Sequence, residues 1–241
     1  MNGQINVVEK WIVFVFPFLA LVFFWKMKIN EPKLYFELVQ EDQLLEQMQF
    51  LFYLVASLIA LRVAWLFRTA GMTLHAVLYF GLFAVLLLVA FEEISWGQRM
   101  LGIESPQYFV EHNLQKELNL HNLVVSVSGL HKAHLLLGLF GCFAWLGLVG
   151  SKSELMHVTR FVIVPWYISS WFFPVLLVYG IFEYLTATEM SWLRQELLSV
   201  MAWRDQEPAE TLLSAGFLLF AWRNHRRLRY FLARRGAGMQ D

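Results

Sequence analysis

Six stretches of the chain are apolar at almost every position, and a helix crossing a bilayer core needs roughly 20 such residues. The first, 11–29, reads WIVFVFPFLALVFFWKMKI and is bracketed by Trp11 and Trp25, as in an interfacial aromatic belt. No small-residue cleavage site follows it, so it reads as a span and not as a signal peptide. The others fall at about 48–67, 74–94, 131–149, 161–185 and 205–223. Pro165 and Pro174 are expected to bend the fifth. The sixth is continuously apolar only over 211–222, so a full span must reach back past Glu210 and Glu207. Glu210 would then lie roughly 20 Å along the axis from Arg223, inside the far face of a core about 30 Å thick.

This pattern predicts an all-α, polytopic integral membrane protein, a single helical membrane domain over 1–241 with about six transmembrane helices. The connections on one side are short. Those on the other, about 30–47, 95–130 and 186–206, are long enough to form a cap of short interfacial helices. LYFELVQEDQLLEQ sets Leu34, Leu38 and Leu45 among acids, as such a helix should.

Composition agrees. Of 241 residues, 58% are hydrophobic and 16% charged, against about 25% charge in soluble domains. Mean hydropathy is +0.51. The 19 basic and 19 acidic residues cancel, which removes the electrostatic basis for nucleic-acid binding. Cys142 is the lone cysteine, so an intrachain disulfide and a cysteine metal cluster are both excluded.

The neutral total divides unevenly between the two sides. The side with the termini holds ten cations, six of them the arginines from Arg223 to Arg235, against Glu9, Glu154 and Asp241. The other side holds eight cations against sixteen acids, and Arg62 lies within the second span. By the positive-inside rule both termini are cytoplasmic. Lys26, Lys28 and Lys33 after the first span argue the other way, against Lys10 alone before it.

Polar residues at membrane depth are costly and are read first as functional. Here they gather on the external side. In FEEISWGQR, Glu92 and Glu93 end the third span. If that helix continues, Glu92, Ser95, Trp96 and Arg99 share a face. Two carboxylates at a helix C-terminus oppose the macrodipole. Either a structural ion pair with Arg99, Arg194 or Arg204 compensates them, or they work as an acid–base or metal-ligating pair. Arg99 and His121 complete the catalytic candidates, with Arg99 placed to bind an anionic head group. Ser95, Gln98, Asn113, Asn119, Asn122, Glu207 and Glu210 are binding candidates, the asparagines suiting a sugar, a phosphate or a capped turn equally well.

Glu207 and Glu210, with Pro208 between them, also suit a helix start, as do Asp42 and Glu46 before the second span. His131 and His134 are three apart and share a face. With Glu93 they are the candidate ligands for zinc or another divalent metal, although no HExxH is present. Gly138, Gly141 and Gly147 supply small surfaces for helix packing.

The run FEEISWGQRMLGIESPQYFVEHNLQKELNLHN resembles a stretch in uncharacterised bacterial multi-spanning membrane proteins, through its EEISWGQR core and NLQ...E...LHN pattern. The resemblance covers about 91–122 and implies a bacterial inner-membrane location without implying an activity. The alkaline ceramidase-like membrane hydrolases offer no counterpart, because their late histidine pair is missing: after His157 only His225 remains. Two functions are therefore expected to compete. One is a membrane-embedded hydrolase or transferase acting on a lipid or lipid-linked substrate. The other is a non-catalytic subunit or solute carrier whose acids pair helices, bind a cation or dock a protein partner in the membrane.

Overall fold

The computed structural model describes residues 5–40, 43–113, 116–120, 123, 127–149, 159–187 and 204–237, without the side chains of 99–100, 127–128, 185–187 and 235–237. Among these the regular structure is helical, apart from one isolated bridge between Asn113 and Leu123. Four helices are long and apolar enough to cross a membrane: α1 (Val7–Asn30), α3 (Leu44–Thr69), α4 (Thr73–Glu93) and Gly129–Leu148. The last joins α7 (Val127–Phe143) to a 3-10 segment, Ala144–Leu148. Between α1 and α3, the short helix α2 (Pro32–Val39) folds back so that buried Tyr35 and Val39 pack with Leu45 against Phe24 and Met27.

Local chemistry explains the boundaries. Asn6 and Glu9 form a reciprocal capping box at the start of α1, Glu9 N–H donating to Asn6 Oδ1 at 2.8 Å and Asn6 N–H to Glu9 Oε2 at 3.0 Å. Gly71, at φ +77°, turns α3 into α4. Pro17 lies inside α1 and has no N–H to offer the carbonyl of Val13. Trp171 Nε1 donates to that carbonyl instead, at 3.0 Å, tying α1 to the core.

The fifth span is where expectation and structure part. Residues 161–185 are not one bent helix but two, α8 (Trp166–Ser169) and α9 (Phe173–Ala187), separated by a turn. Pro165 caps the first and Pro174 sits in the first turn of the second. Proline lacks the donor an interior turn needs but suits a helix start, so each proline begins a helix instead of bending one. The sixth stretch is the first half of α10 (Glu207–Ala237), which continues through the arginine tail as one helix of 31 residues.

Helix α3 packs on both α4 and α10, while α7 packs on α9. That second contact is close. A methyl group on Gly141 would lie 2.2 Å from the Phe172 ring, and one on Gly138 would lie 2.8 Å from Leu176. In lipid, association rests on such packing more than on apolar burial.

The chain separates charge between its two ends. At one end the start of α1, Arg160 and the second half of α10 come together around a cavity. At the other, the end of α1 meets the start of α10: Lys28 pairs with Asp205, and Tyr35 Oη donates to the same carboxylate at 2.7 Å. Burial and that carboxylate raise the Tyr35 phenol well above its ordinary value.

Candidate functional site

Two polar regions meet at the acidic end, and α4 supplies one glutamate to each. Its helix stops at Glu93 because Ser95, Trp96 and Gly97 all take positive φ, at 46°, 57° and 73°. The expected continuation, with Glu92, Ser95, Trp96 and Arg99 along one face, is therefore replaced by a tight 3-10 turn, Ser95–Gly97, leading into α5 (Gln98–Leu101). The turn still brings Trp96 back to Glu92.

Glu92 is buried and uses both oxygens. Trp96 Nε1 donates to Oε1 at 2.7 Å and the Leu120 N–H donates to Oε2 at 2.6 Å. Ser95 Oγ donates to Glu117 Oε2 at 2.5 Å, and Asn119 Nδ2 donates to Ser95 Oγ at 2.9 Å. Asn113 Nδ2 reaches both the carbonyl and Oδ1 of Asn119 at 2.8 Å. Gln98 Oε1 accepts from Leu118 N–H at 2.6 Å, while its Nε2 donates to Ser105 Oγ at the same distance. Ser95, Gln98, Asn113 and Asn119 are all buried. They bond to one another, to the side chains of Ser105 and Glu117 and to the backbone of 116–120, beyond α6 (Gln107–His112). At Asn113 and Asn119 the hydrogen bonds are those of the capped-turn reading.

The second region is a carboxylate cluster. Glu46 stands in the first turn of α3, Glu93 at the end of α4, and Glu207 and Glu210 in the first turn of α10. Glu93 lies within electrostatic range of Glu210, Glu207, Glu46 and Glu92. Arg204, itself buried and at φ +81°, is the cation here. Its Nη1 is 3.1 Å from Glu46 Oε1 and 3.9 Å from Glu207 Oε1, and it also donates to the Val39 carbonyl at 3.3 Å. The helix-start reading of Glu46, Glu207 and Glu210 thus holds, yet it is incomplete, since the same acids face one another.

Further groups complete the cluster. Gln49 Nε2 donates to Glu207 Oε2 at 2.9 Å and to Thr211 Oγ1 at 3.2 Å. Gln49 Oε1 is buried and has no hydrogen-bond partner among the described residues. Tyr179 Oη donates to Glu210, and buried Tyr53 lies within electrostatic range of Glu93 and Glu210. His134 stacks on Tyr179 with ring centres 4.5 Å apart, and the His131 ring is 5.1 Å from the same tyrosine. His131 Nδ1 is 3.8 Å from Glu183.

Among the sequence candidates, Glu93, Glu207 and Glu210 share the cluster, His131 and His134 border it through Tyr179, and Glu92, Ser95, Gln98, Asn113 and Asn119 belong to the loop network. His121, Asn122, Asp42, Arg194 and the Arg99 side chain lie outside the described residues. No three His, Cys, Asp or Glu side chains among the described residues are grouped to hold a metal ion, so His131, His134 and Glu93 are not gathered as one ligand set. Gln49, Tyr53 and Tyr179 escaped sequence reasoning. A signal existed: Glu46, Gln49 and Tyr53 are spaced three and then four apart and so line one face of α3, and Tyr179 and Glu183 are four apart on α9.

Compared with known proteins, the chain matches no family model, no curated protein and no solved structure.

Proposed function

We infer that this is a six-span protein of a bacterial inner membrane, with cytoplasmic termini, and that its carboxylate cluster is the acid–base centre of an enzyme acting on a lipid or lipid-linked substrate. The observation that carries the reading is the convergence of Glu93, Glu207 and Glu210 within electrostatic range of one another, beside the phenol of Tyr179. Carboxyl groups brought together place a proton donor and a proton acceptor side by side. A proton held where a second group can accept it is what general acid–base catalysis uses. The buried Gln49 Oε1 beside Glu207, without a hydrogen-bond partner among the described residues, supplies an acceptor for such a proton or for a substrate hydroxyl.

The His131 and Glu183 side chains, beside Tyr179, are 30% and 31% exposed, and that edge is the proposed route of access. Six passes are supported by the course of two further segments. From Arg160 to Glu183 the chain runs from the basic end to the acidic one, and α10 returns from Glu207 to Arg223. The resemblance of 91–122 to bacterial membrane proteins supports the location. The competing role, helix pairing, is favoured at Glu46 and Asp205 specifically, because each is matched to a cation, Arg204 and Lys28.

The test has two arms. A reporter fused after Asp241 should be cytoplasmic, and an external signal would invert the orientation. Purified protein in nanodiscs of bacterial polar lipid should convert a lipid species detectable by mass spectrometry. Glu93→Gln and Glu210→Gln should each slow that conversion by about 10²–10⁴-fold with folding intact. Full conversion by both variants would remove the cluster from the chemistry, and an unchanged lipid profile with the native protein would sink the enzyme reading.

A further inference from the structure

The basic end holds a cavity of about 970 Å³ that plays no part in the chemistry above. Among the described residues six cations line it: Lys10 from α1, Arg160, and Arg223, Arg226, Arg227 and Arg234 from α10. No acid lines it among the described residues. A row of arginines at the end of a membrane helix is needed only to set topology, and that task requires no cavity. Here the arginines instead surround a space of the size that takes a small-molecule headgroup.

The surroundings are built to hold those cations in place. Arg223 Nε donates to Tyr167 Oη at 2.9 Å and its Nη1 to Asn224 Oδ1 at 3.0 Å. Arg227 Nη1 donates to the Arg160 carbonyl at 3.1 Å, and its guanidinium lies 4.7 Å from the Phe161 ring centre. Arg234 stacks over Tyr230 at 4.6 Å. Such contacts orient guanidinium groups but neutralise none of them. Burial first, and then the crowding of Arg223 and Arg160 against it, lowers Arg227 to about 10. An anion entering this space relieves that crowding, and guanidinium forks match phosphate oxygens.

The remaining walls indicate what the anion is attached to. Val13, Ile168 and Leu219 line the cavity on the side of the apolar spans, and Trp222 and Phe231 are exposed at its rim. A phosphate carried on an acyl or isoprenoid chain satisfies both surfaces. We propose that this cavity binds the phosphate headgroup of an anionic lipid from the leaflet on the side of the termini, with the chain lying along the apolar wall.

The experiment uses the full-length protein in nanodiscs of zwitterionic phospholipid, doped with increasing amounts of anionic phospholipid. Lipid retained on the protein is measured by native mass spectrometry, and thermal stability is followed in parallel. Native protein should retain the anionic lipid selectively. The double variant Arg226→Gln/Arg234→Gln should weaken retention by about 25-fold, taking about fivefold for each cation near the surface. It spares Arg223 and Arg227, whose hydrogen bonds also support the fold. Lys33→Gln, at the opposite end, should leave retention unchanged. Equal retention by the native and double-variant proteins would overturn the proposal, as would equal weakening by Lys33→Gln. Inorganic phosphate alone, at matched concentration, should give no stabilisation; a shift as large as that from the lipid would assign the cavity to a soluble phosphate and overturn the lipid source.

Discussion

Glu92 and Glu93 are consecutive residues on one helix, yet they belong to different kinds of polar region. Glu92 turns into the loop network, where both oxygens accept from donors fixed by the fold. Glu93 lies within electrostatic range of Glu46, Glu207 and Glu210 as well as Glu92, so its electrostatic neighbours are other carboxyls. A buried carboxylate surrounded by donors is an anchor, because removing it strands those donors. One whose electrostatic neighbours are carboxylates gains no such donors from the fold, which is what makes it the candidate acid–base group. The comparison teaches that burial and acidity alone do not tell an anchor from a candidate acid–base group. The partners decide.

The sharpest way to break that distinction is to neutralise or remove each glutamate in turn. Glu92→Ala strands the Trp96 indole N–H and the Leu120 N–H and should cost about 3 kcal/mol of stability, measured by unfolding in mixed detergent. Glu93→Gln, which keeps the shape and strands no donor seen in the structure, should change stability by no more than about 1 kcal/mol. Were Glu93→Gln to cost as much as Glu92→Ala, both residues would be anchors and the contrast would collapse.

A smaller effect probes the cation within the cluster. Arg204→Gln leaves Glu46 and Glu207 without their shared partner and should cost about 2 kcal/mol, less than a fully buried pair because Glu46 is partly exposed. Adding Glu46→Gln should recover roughly half of that loss. Without recovery in the double variant, Arg204 would be holding the Val39 carbonyl and the loop instead of balancing charge.

Much of this was legible along the chain. The spans at 11–29, 48–67, 74–94 and 131–149 correspond to helices α1, α3, α4 and the Gly129–Leu148 segment, since an unbroken apolar run leaves the backbone no partner but itself. The close packing at Gly138 and Gly141 was likewise visible as small residues on one helix. Pro165 and Pro174 were read less well: proline forbids an interior helical position and favours an initial one, and the chain used the second property. The candidate site was half legible. Its acids stood out against apolar runs, whereas Gln49, Tyr53 and Tyr179 look like ordinary residues until they are seen beside a carboxylate.

Sequence alone determined the all-helical character, the four long apolar helices and the gathering of acids and arginines into separate stretches, because these depend on the cost of placing each residue type in lipid or water. Tertiary structure decided which acids meet. The left-handed turn at Ser95 and Trp96 sent the loop back over Glu92, and the packing of α3, α4 and α10 set Glu93 among Glu46, Glu207 and Glu210. It also brought the arginines of α10 to a cavity shared with Lys10 and Arg160. Those residues lie far apart along the chain, and no local pattern encodes the distance between them once helices have packed.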